Sequence, residues 1–98
     1  MFGRGLVYIL LTVEEYLHYL KGKGFQFQED AIGFIFFGKH YTNATDEMIN
    51  TAIELTLKAQ KRFDGSFYVA LLETLTANKI VSRKAALQFV KETELLNI

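Results

Sequence analysis

The sequence contains no cysteine, no proline and no tryptophan, and only two of its 98 residues are histidine. Without cysteine the chain has no disulfide, no thiol chemistry and no zinc site built from thiolates. Without proline, glycine is the main residue available to end helices. The eleven basic and eleven acidic side chains cancel, so the chain lacks the charge excess that favours binding to nucleic acid or to an anionic membrane.

Long apolar runs are also scarce near the start of the chain. Residues 6–11 are all apolar, but this run is shorter than the core of a signal peptide and far shorter than the roughly 20 residues of a membrane span. We therefore expect a cytoplasmic protein with no membrane span. Residues 1–11 are expected to form a short strand or an extra helical turn that packs on the body of the protein. The alternative is an apolar arm that grips a second subunit.

Apolar residues are nevertheless abundant, because they make up half of the sequence and include nine Phe and five Tyr. A chain of 98 residues has the size of one domain, which we place at residues 1–98. So small a body cannot easily bury every ring, and exposed apolar patches usually mark contact surfaces. The composition therefore predicts a surface for a partner or for self-association.

Two helices are predicted in the first half of the sequence. Thr12 and Glu15 have the spacing of a capping box, and the helix they begin should end at Gly22 or Gly24. The second helix, from about Gln28 to position 40, is apolar all round at residues 31–37. This pattern predicts a buried helix at the centre of the fold.

Three further helices are predicted in the second half. The third covers residues 45–63, and Ser66 is expected to cap the fourth, which covers residues 67–77. Asn78 should end the fourth helix in the left-handed conformation, and Ser82 should cap the fifth. Short connections favour antiparallel neighbours, so the expected fold is all-α, a compact bundle of about five short helices.

Residues that might carry chemistry are few. Glu15 and His18 match one Glu-x-x-His element of a dimetal bundle, but such a site needs two, and Phe37 lies three residues before His40. The two serines are explained as helix caps, and no glycine-rich phosphate loop occurs. We expect a non-enzymatic protein without catalytic residues, cofactors or a metal ion.

Aromatic residues are concentrated at positions 25–41. Core packing is their expected role, and the alternative is a ligand pocket of about 300 Å³ or more near Phe34 and Phe37. Some apolar residues are also expected to contact a partner or a second copy. These are Leu6, Tyr8, Ile9, Phe36 and Phe37.

Positive charge is concentrated in residues 58–91, which hold seven basic and two acidic side chains. At the end of the third helix such cations complement the helix dipole, whereas Arg83 and Lys84 begin a helix, where positive charge is mildly unfavourable. If both groups share one side, they would form a patch for nucleic acid or another anion. The residues expected in this patch are Lys58, Lys61, Arg62, Lys79, Arg83 and Lys84.

Residues 66–82, with Ile49, Ala52 and Ile53 before them, resemble the C-terminal helical domain of DnaD-type primosomal proteins. The resemblance covers residues 45–90 and implies a helical module that binds single-stranded DNA. More broadly, the chain resembles short uncharacterised helical proteins of Gram-positive, Bacillus-type bacteria.

The DnaD-type domain carries an aromatic residue, a branched aliphatic residue four positions later and a tryptophan four positions after that. The corresponding residues here are Phe67, Leu71 and Leu75. An Asn-Gly-Ile turn and a Thr-capped helix follow in that domain, where this chain has Asn-Lys-Ile at residues 78–80 and then Ser82. Leucine in place of tryptophan removes a ring that would stack on a base.

The sequence therefore predicts a small protein–protein interaction module that associates with itself or with another protein. The alternative is a nucleic-acid-associated accessory protein that uses the basic residues of positions 58–91.

Overall fold

The computed structural model of the chain describes residues 11–93. It contains five helices, which we number in chain order: α1 Val13–Gly22, α2 Glu29–Thr42, α3 Asp46–Gln60, α4 Gly65–Ala77 and α5 Arg83–Thr93. No strand occurs within residues 11–93, so the prediction of an all-α bundle of five helices is confirmed. Residues 1–10 of the predicted arm, including Leu6, Tyr8 and Ile9, lie outside the described residues.

The predicted starts of three helices are confirmed. The Thr12 hydroxyl accepts from the amide of Glu15 at 3.1 Å, and the Glu15 carboxylate accepts from the amide of Thr12 at 2.9 Å. Thr45 caps α3, and Ser82 caps α5 by accepting from the amide of Ala85 at 3.1 Å. These caps satisfy amides that have no partner inside their own helices.

The prediction that Ser66 caps α4 is wrong. The helix begins at Gly65, and its cap is Asp64, whose carboxylate accepts from the amide of Phe67 at 3.0 Å. A carboxylate at this position also complements the positive end of the helix dipole, which the serine hydroxyl does not. Ser66 therefore lies inside the first turn.

Two predicted helix ends are also wrong. Helix α3 ends at Gln60 rather than Phe63, because Lys61 adopts the left-handed conformation with φ 64°. The chain then places the Phe63 ring 5.4 Å from the ring of Tyr68 in the core. At the end of α4, Asn78 has φ −93° and Lys79 takes the left-handed conformation at φ 59°.

The centre of the bundle is α3 rather than α2. Residues 48–56 of α3 are all buried, and the helix packs against the other four. Its threonines remain satisfied because each donates to the carbonyl four residues earlier, Thr51 to Glu47 at 2.8 Å and Thr56 to Ala52 at 2.7 Å. Because α3 is surrounded by the other helices, it buries residues on all of its sides. Helix α2 lies at the periphery of the bundle and leaves one face exposed.

Helix α2 packs most extensively on α4, and a glycine permits the close approach. A Cβ atom at Gly38 would lie 2.9 Å from the ring and the hydroxyl of Tyr68. That hydroxyl is buried and donates to the carbonyl of Ile35 at 2.7 Å. Burial raises the pKa of Tyr68 well above its usual value. The contact at Gly38 sets which side of α2 faces the core.

Candidate functional site

The outer side of α2 carries three exposed aromatic residues, Phe34, Phe37 and Tyr41, which we call the aromatic face. Their exposed fractions are 42%, 55% and 62%. These residues occupy positions i, i+3 and i+7, which lie on one side of a helix. That side of α2 faces away from the buried Ile35 and borders the edge that packs on α4. The rings of Phe37 and Tyr41 stack at 5.5 Å with an angle of 10° between their planes.

Phe34 is held in place by α4. An ideal Cβ atom at Gly65 would overlap the Phe34 ring, so the ring rests directly on the backbone of the first residue of α4. The absence of a side chain at Gly65 is therefore what lets Phe34 approach the start of α4 so closely. One end of the aromatic face is thus positioned by packing before any partner arrives.

Polar residues border the aromatic face along α2. Asp30 lies one turn before Phe34, and His40 lies beside Tyr41 at the other end; both are exposed. Gly33 lies between them on the same side of α2. A Cβ atom added at Gly33 would have no described atom within 4 Å, apart from the neighbouring backbone of α2 itself. An exposed mid-helix glycine costs about 0.5–1 kcal/mol relative to alanine, and no contact within residues 11–93 requires it.

The predicted core role of the aromatic cluster is only partly right. Phe27 and Phe36 are half-buried and pack against the core. Four other members, Phe25, Phe34, Phe37 and Tyr41, are exposed. Periodicity could not separate these groups, because residues 31–37 are apolar on every side of the helix. Of the two α2 residues predicted to contact a partner, Phe37 is exposed and Phe36 is not.

Two carboxylates from outside residues 58–91, those of Glu47 and Glu54, lie within the predicted basic patch. The Arg83 guanidinium donates to both oxygens of Glu54, at 2.9 and 2.8 Å, and the Arg83 amide donates to Glu47 at 2.8 Å. Lys58 lies 3.5 Å from the same Glu54 carboxylate. The structure therefore brings Lys58 and Arg83 together around an acidic side chain of α3.

The remaining predicted cations are dispersed among different local contacts. Arg62 lies 3.5 Å from the Asp64 carboxylate, and the Lys61 ammonium donates to the carbonyl of Lys58 at 3.0 Å. Lys79 and Lys84 are exposed. Nearby carboxylates thus offset Lys58, Arg62 and Arg83, and this lowers the local positive potential that an anion would meet.

Two open clefts lie beside the aromatic residues. One, of about 480 Å³, borders Phe34 but is lined mainly by polar groups that include Asp30, Arg62 and Asp64. The other, of about 410 Å³, lies between α1 and the start of α2 and includes Phe25 and Ile32 in its lining. Neither is an enclosed aromatic pocket near Phe34 and Phe37, which was the alternative predicted for these rings.

Within residues 11–93, no three His, Cys, Asp or Glu side chains are close enough together to hold a metal ion. None of the described helices is both long and apolar enough to cross a membrane.

Comparison with known protein families gives a match that covers most of the chain. A family of unknown function, DUF6123, matches residues 9–96, which is nearly the whole chain. The chain belongs to the DUF6123 family. No curated protein and no solved structure matches this DUF6123 chain. The family match agrees with the expected likeness to a family of uncharacterised helical proteins, and it carries no activity that could be transferred to the aromatic face.

Proposed function

We propose that this DUF6123 protein is a small, non-enzymatic, cytoplasmic protein–protein interaction module whose docking surface is the aromatic face of α2. The observation that supports the proposal is the exposure of three large rings on one side of one helix. Exposed apolar patches of a few hundred Å² on small proteins are often contact sites. Aromatic residues are also enriched among the residues that contribute most to binding.

The size of the aromatic face is sufficient for a reversible contact. At the exposures of Phe34, Phe37 and Tyr41, the three rings present about 300 Å² to solvent. At about 25 cal/mol per Å², their burial contributes up to about 7 kcal/mol before the entropic cost of association. Because the entropic cost of association offsets much of this burial free energy, we expect a partner that binds reversibly.

A nucleic-acid partner, bound through the basic residues of positions 58–91, has less support. The Arg83 and Lys58 side chains share the carboxylate of Glu54, and Arg62 lies beside Asp64. An incoming phosphate would compete with these acidic groups and meet a lower positive potential. We therefore place the partner at α2 and not at the α3–α5 contact.

Site-specific photocrosslinking in cells that produce the protein tests the proposal. A photoreactive phenylalanine analogue is placed at Phe37, and the matched control carries it at Gln88, an exposed position of α5. We expect a protein adduct at position 37 and none at position 88. Adducts to nucleic acid, equal adducts at both positions, or none at position 37 would contradict the proposal.

A further inference from the structure

We infer that the occupant of the aromatic face is a second copy of this chain, with the two α2 helices packed antiparallel about a twofold axis. The inference rests on the proposed function, because it names the partner of the same surface. Its starting point is the spacing of Asp30, Phe34, Phe37 and Tyr41 along one side of α2. Intervals of four, three and four residues are those of the seam between two packed helices.

The seam is complementary to itself when the helices run in opposite directions. With the twofold axis between residues 35 and 36, Phe34 lies opposite Phe37 of the second copy, and Phe37 lies opposite Phe34 of the second copy. Tyr41 then lies opposite Asp30 of the second copy, where its hydroxyl can donate to the carboxylate. Every ring of the seam gains a neighbour of suitable chemistry, as an interface made of two identical patches requires.

The charges of α2 select the antiparallel direction. The first turn carries Glu29 and Asp30, and the last turn carries Lys39 and His40. Lys39 is already paired with Asp46 at 2.8 Å, and His40 is the other basic side chain of the last turn. Antiparallel packing places acidic first turns near His40 of the other copy and opposes the two helix dipoles. Parallel packing would place each Asp30 beside the other, which is unfavourable.

Gly33 has a role in this arrangement that it lacks in the isolated chain. Gly33 and His40 are seven residues apart on the same flank of the seam, so antiparallel packing places each Gly33 within about 3 Å, along the helix axis, of the level of His40 of the second copy. The space around the Gly33 Cβ position is empty in the described chain, and an imidazole can enter it. A larger side chain at position 33 would hold the helices apart.

The area of the aromatic face indicates a weak dimer. The three rings expose about 300 Å² per copy, against roughly 800 Å² per partner in a standard specific interface. The balance of eleven basic and eleven acidic residues means that two copies do not repel each other. We therefore expect a dimer that dissociates on dilution through the micromolar range.

Disulfide trapping tests the arrangement, because the natural chain has no cysteine and any introduced thiol is unique. Two single variants, Gly33→Cys and His40→Cys, are oxidised separately and as an equimolar mixture. Antiparallel packing brings position 33 close to position 40 of the second copy. It leaves the two copies of position 33 about 7.5 Å apart along the helix axis, beyond the usual Cα separation of a disulfide.

We expect the mixture to form a disulfide between the two variants at least tenfold faster than either variant crosslinks with itself. Gln88→Cys, alone and mixed with each variant, measures crosslinking by random collision. Faster self-crosslinking of either variant would show a different arrangement and overturn the inference. Crosslinking at the rate of the Gln88→Cys control in every mixture would also overturn it.

The photocrosslinking at Phe37 separates failure of this inference from failure of the proposed function. An adduct of this chain with a different protein, together with background disulfide rates, would leave the interaction module standing and remove the second copy as its partner. No adduct at position 37 and background disulfide rates together would remove both.

Discussion

At the scale of single residues, two buried contacts show how polar groups fix the packing of this bundle. Tyr68 is buried beneath α2 and donates its hydroxyl to the carbonyl of Ile35 at 2.7 Å. Glu54 is nearly buried and receives two hydrogen bonds from Arg83, 29 residues away in sequence. Each contact satisfies a polar group that would otherwise be costly to bury.

The Tyr68 hydroxyl should make the protein sensitive to alkaline pH. Because burial raises the pKa of Tyr68 in the folded state, the unfolded chain loses this proton first as the pH rises. The free energy of unfolding should be unaffected by this group below about pH 10 and fall above it, by up to about 1.4 kcal/mol per pH unit.

Urea unfolding from pH 8 to 11 measures this slope, and Tyr68→Phe is the variant that lacks it. Tyr68→Phe should also lower the stability at pH 8 by about 1 kcal/mol, through loss of the hydrogen bond. The control, Tyr41→Phe on the exposed side of α2, should keep the wild-type slope. An unchanged slope in Tyr68→Phe would show that other groups cause the alkaline loss.

Glu54→Gln should destabilise the fold by about 1–3 kcal/mol, since it removes one charge from a mostly buried pair with Arg83. The matched control is Asp64→Asn beside the exposed Arg62; it keeps a capping side chain and should cost less than about 1 kcal/mol. Thermal or urea unfolding of both variants measures the difference. Equal losses would mean that the Glu54–Arg83 pair contributes no more than a surface pair.

At the scale of the helix, α2 presents two unlike sides although its sequence is apolar all round. Its inner side holds Ile35 and Gly38, and its outer side holds Phe34, Phe37 and Tyr41. Gly38 decides this orientation, because only a residue without a side chain lets α2 approach the ring of Tyr68 so closely. Once the contact between α2 and α4 at Gly38 has formed, the rings on the opposite side of α2 remain exposed to solvent.

The two glycines of α2 should respond to alanine in opposite directions. Gly38→Ala places a methyl group 2.9 Å from Tyr68 and should destabilise the fold by about 1–3 kcal/mol. Gly33→Ala meets open space and should stabilise the monomer by about 0.5–1 kcal/mol, as helix propensity predicts. Unfolding at low protein concentration measures both effects without a contribution from the proposed dimer. Stabilisation by Gly38→Ala would show that α2 can move away from α4 at little cost.

At the scale of the whole molecule, the balanced charge and the aromatic face are the two features from which we infer self-association. The cations of residues 58–91 do not dominate the surface, because α3 supplies Glu47 and Glu54 to the start of α5. The outer side of α2 brings three exposed aromatic residues together on one helix. Under the proposed dimer, the oligomeric state is the property that changes at this helix should alter.

Phe37→Asp should convert the proposed dimer to a monomer without unfolding it. The aspartates would bring a negative charge from each copy into the apolar seam, whereas in the monomer position 37 is exposed and tolerates a charged side chain. Light scattering across micromolar concentrations measures the mass, and circular dichroism checks the fold. The control Gln88→Asp should keep the wild-type concentration dependence, and a concentration-dependent mass in Phe37→Asp would contradict the prediction.

The sequence by itself determined the five helices of residues 11–93 and most of their starts, because caps and helical periodicity act between residues three or four apart. The Thr12–Glu15 box shows this, and even the wrong cap at Ser66 misplaced its helix by only two residues. Only the tertiary structure decided which rings of α2 meet solvent and that Glu54 neutralises Arg83. Those outcomes depend on contacts between distant segments, which no local pattern encodes.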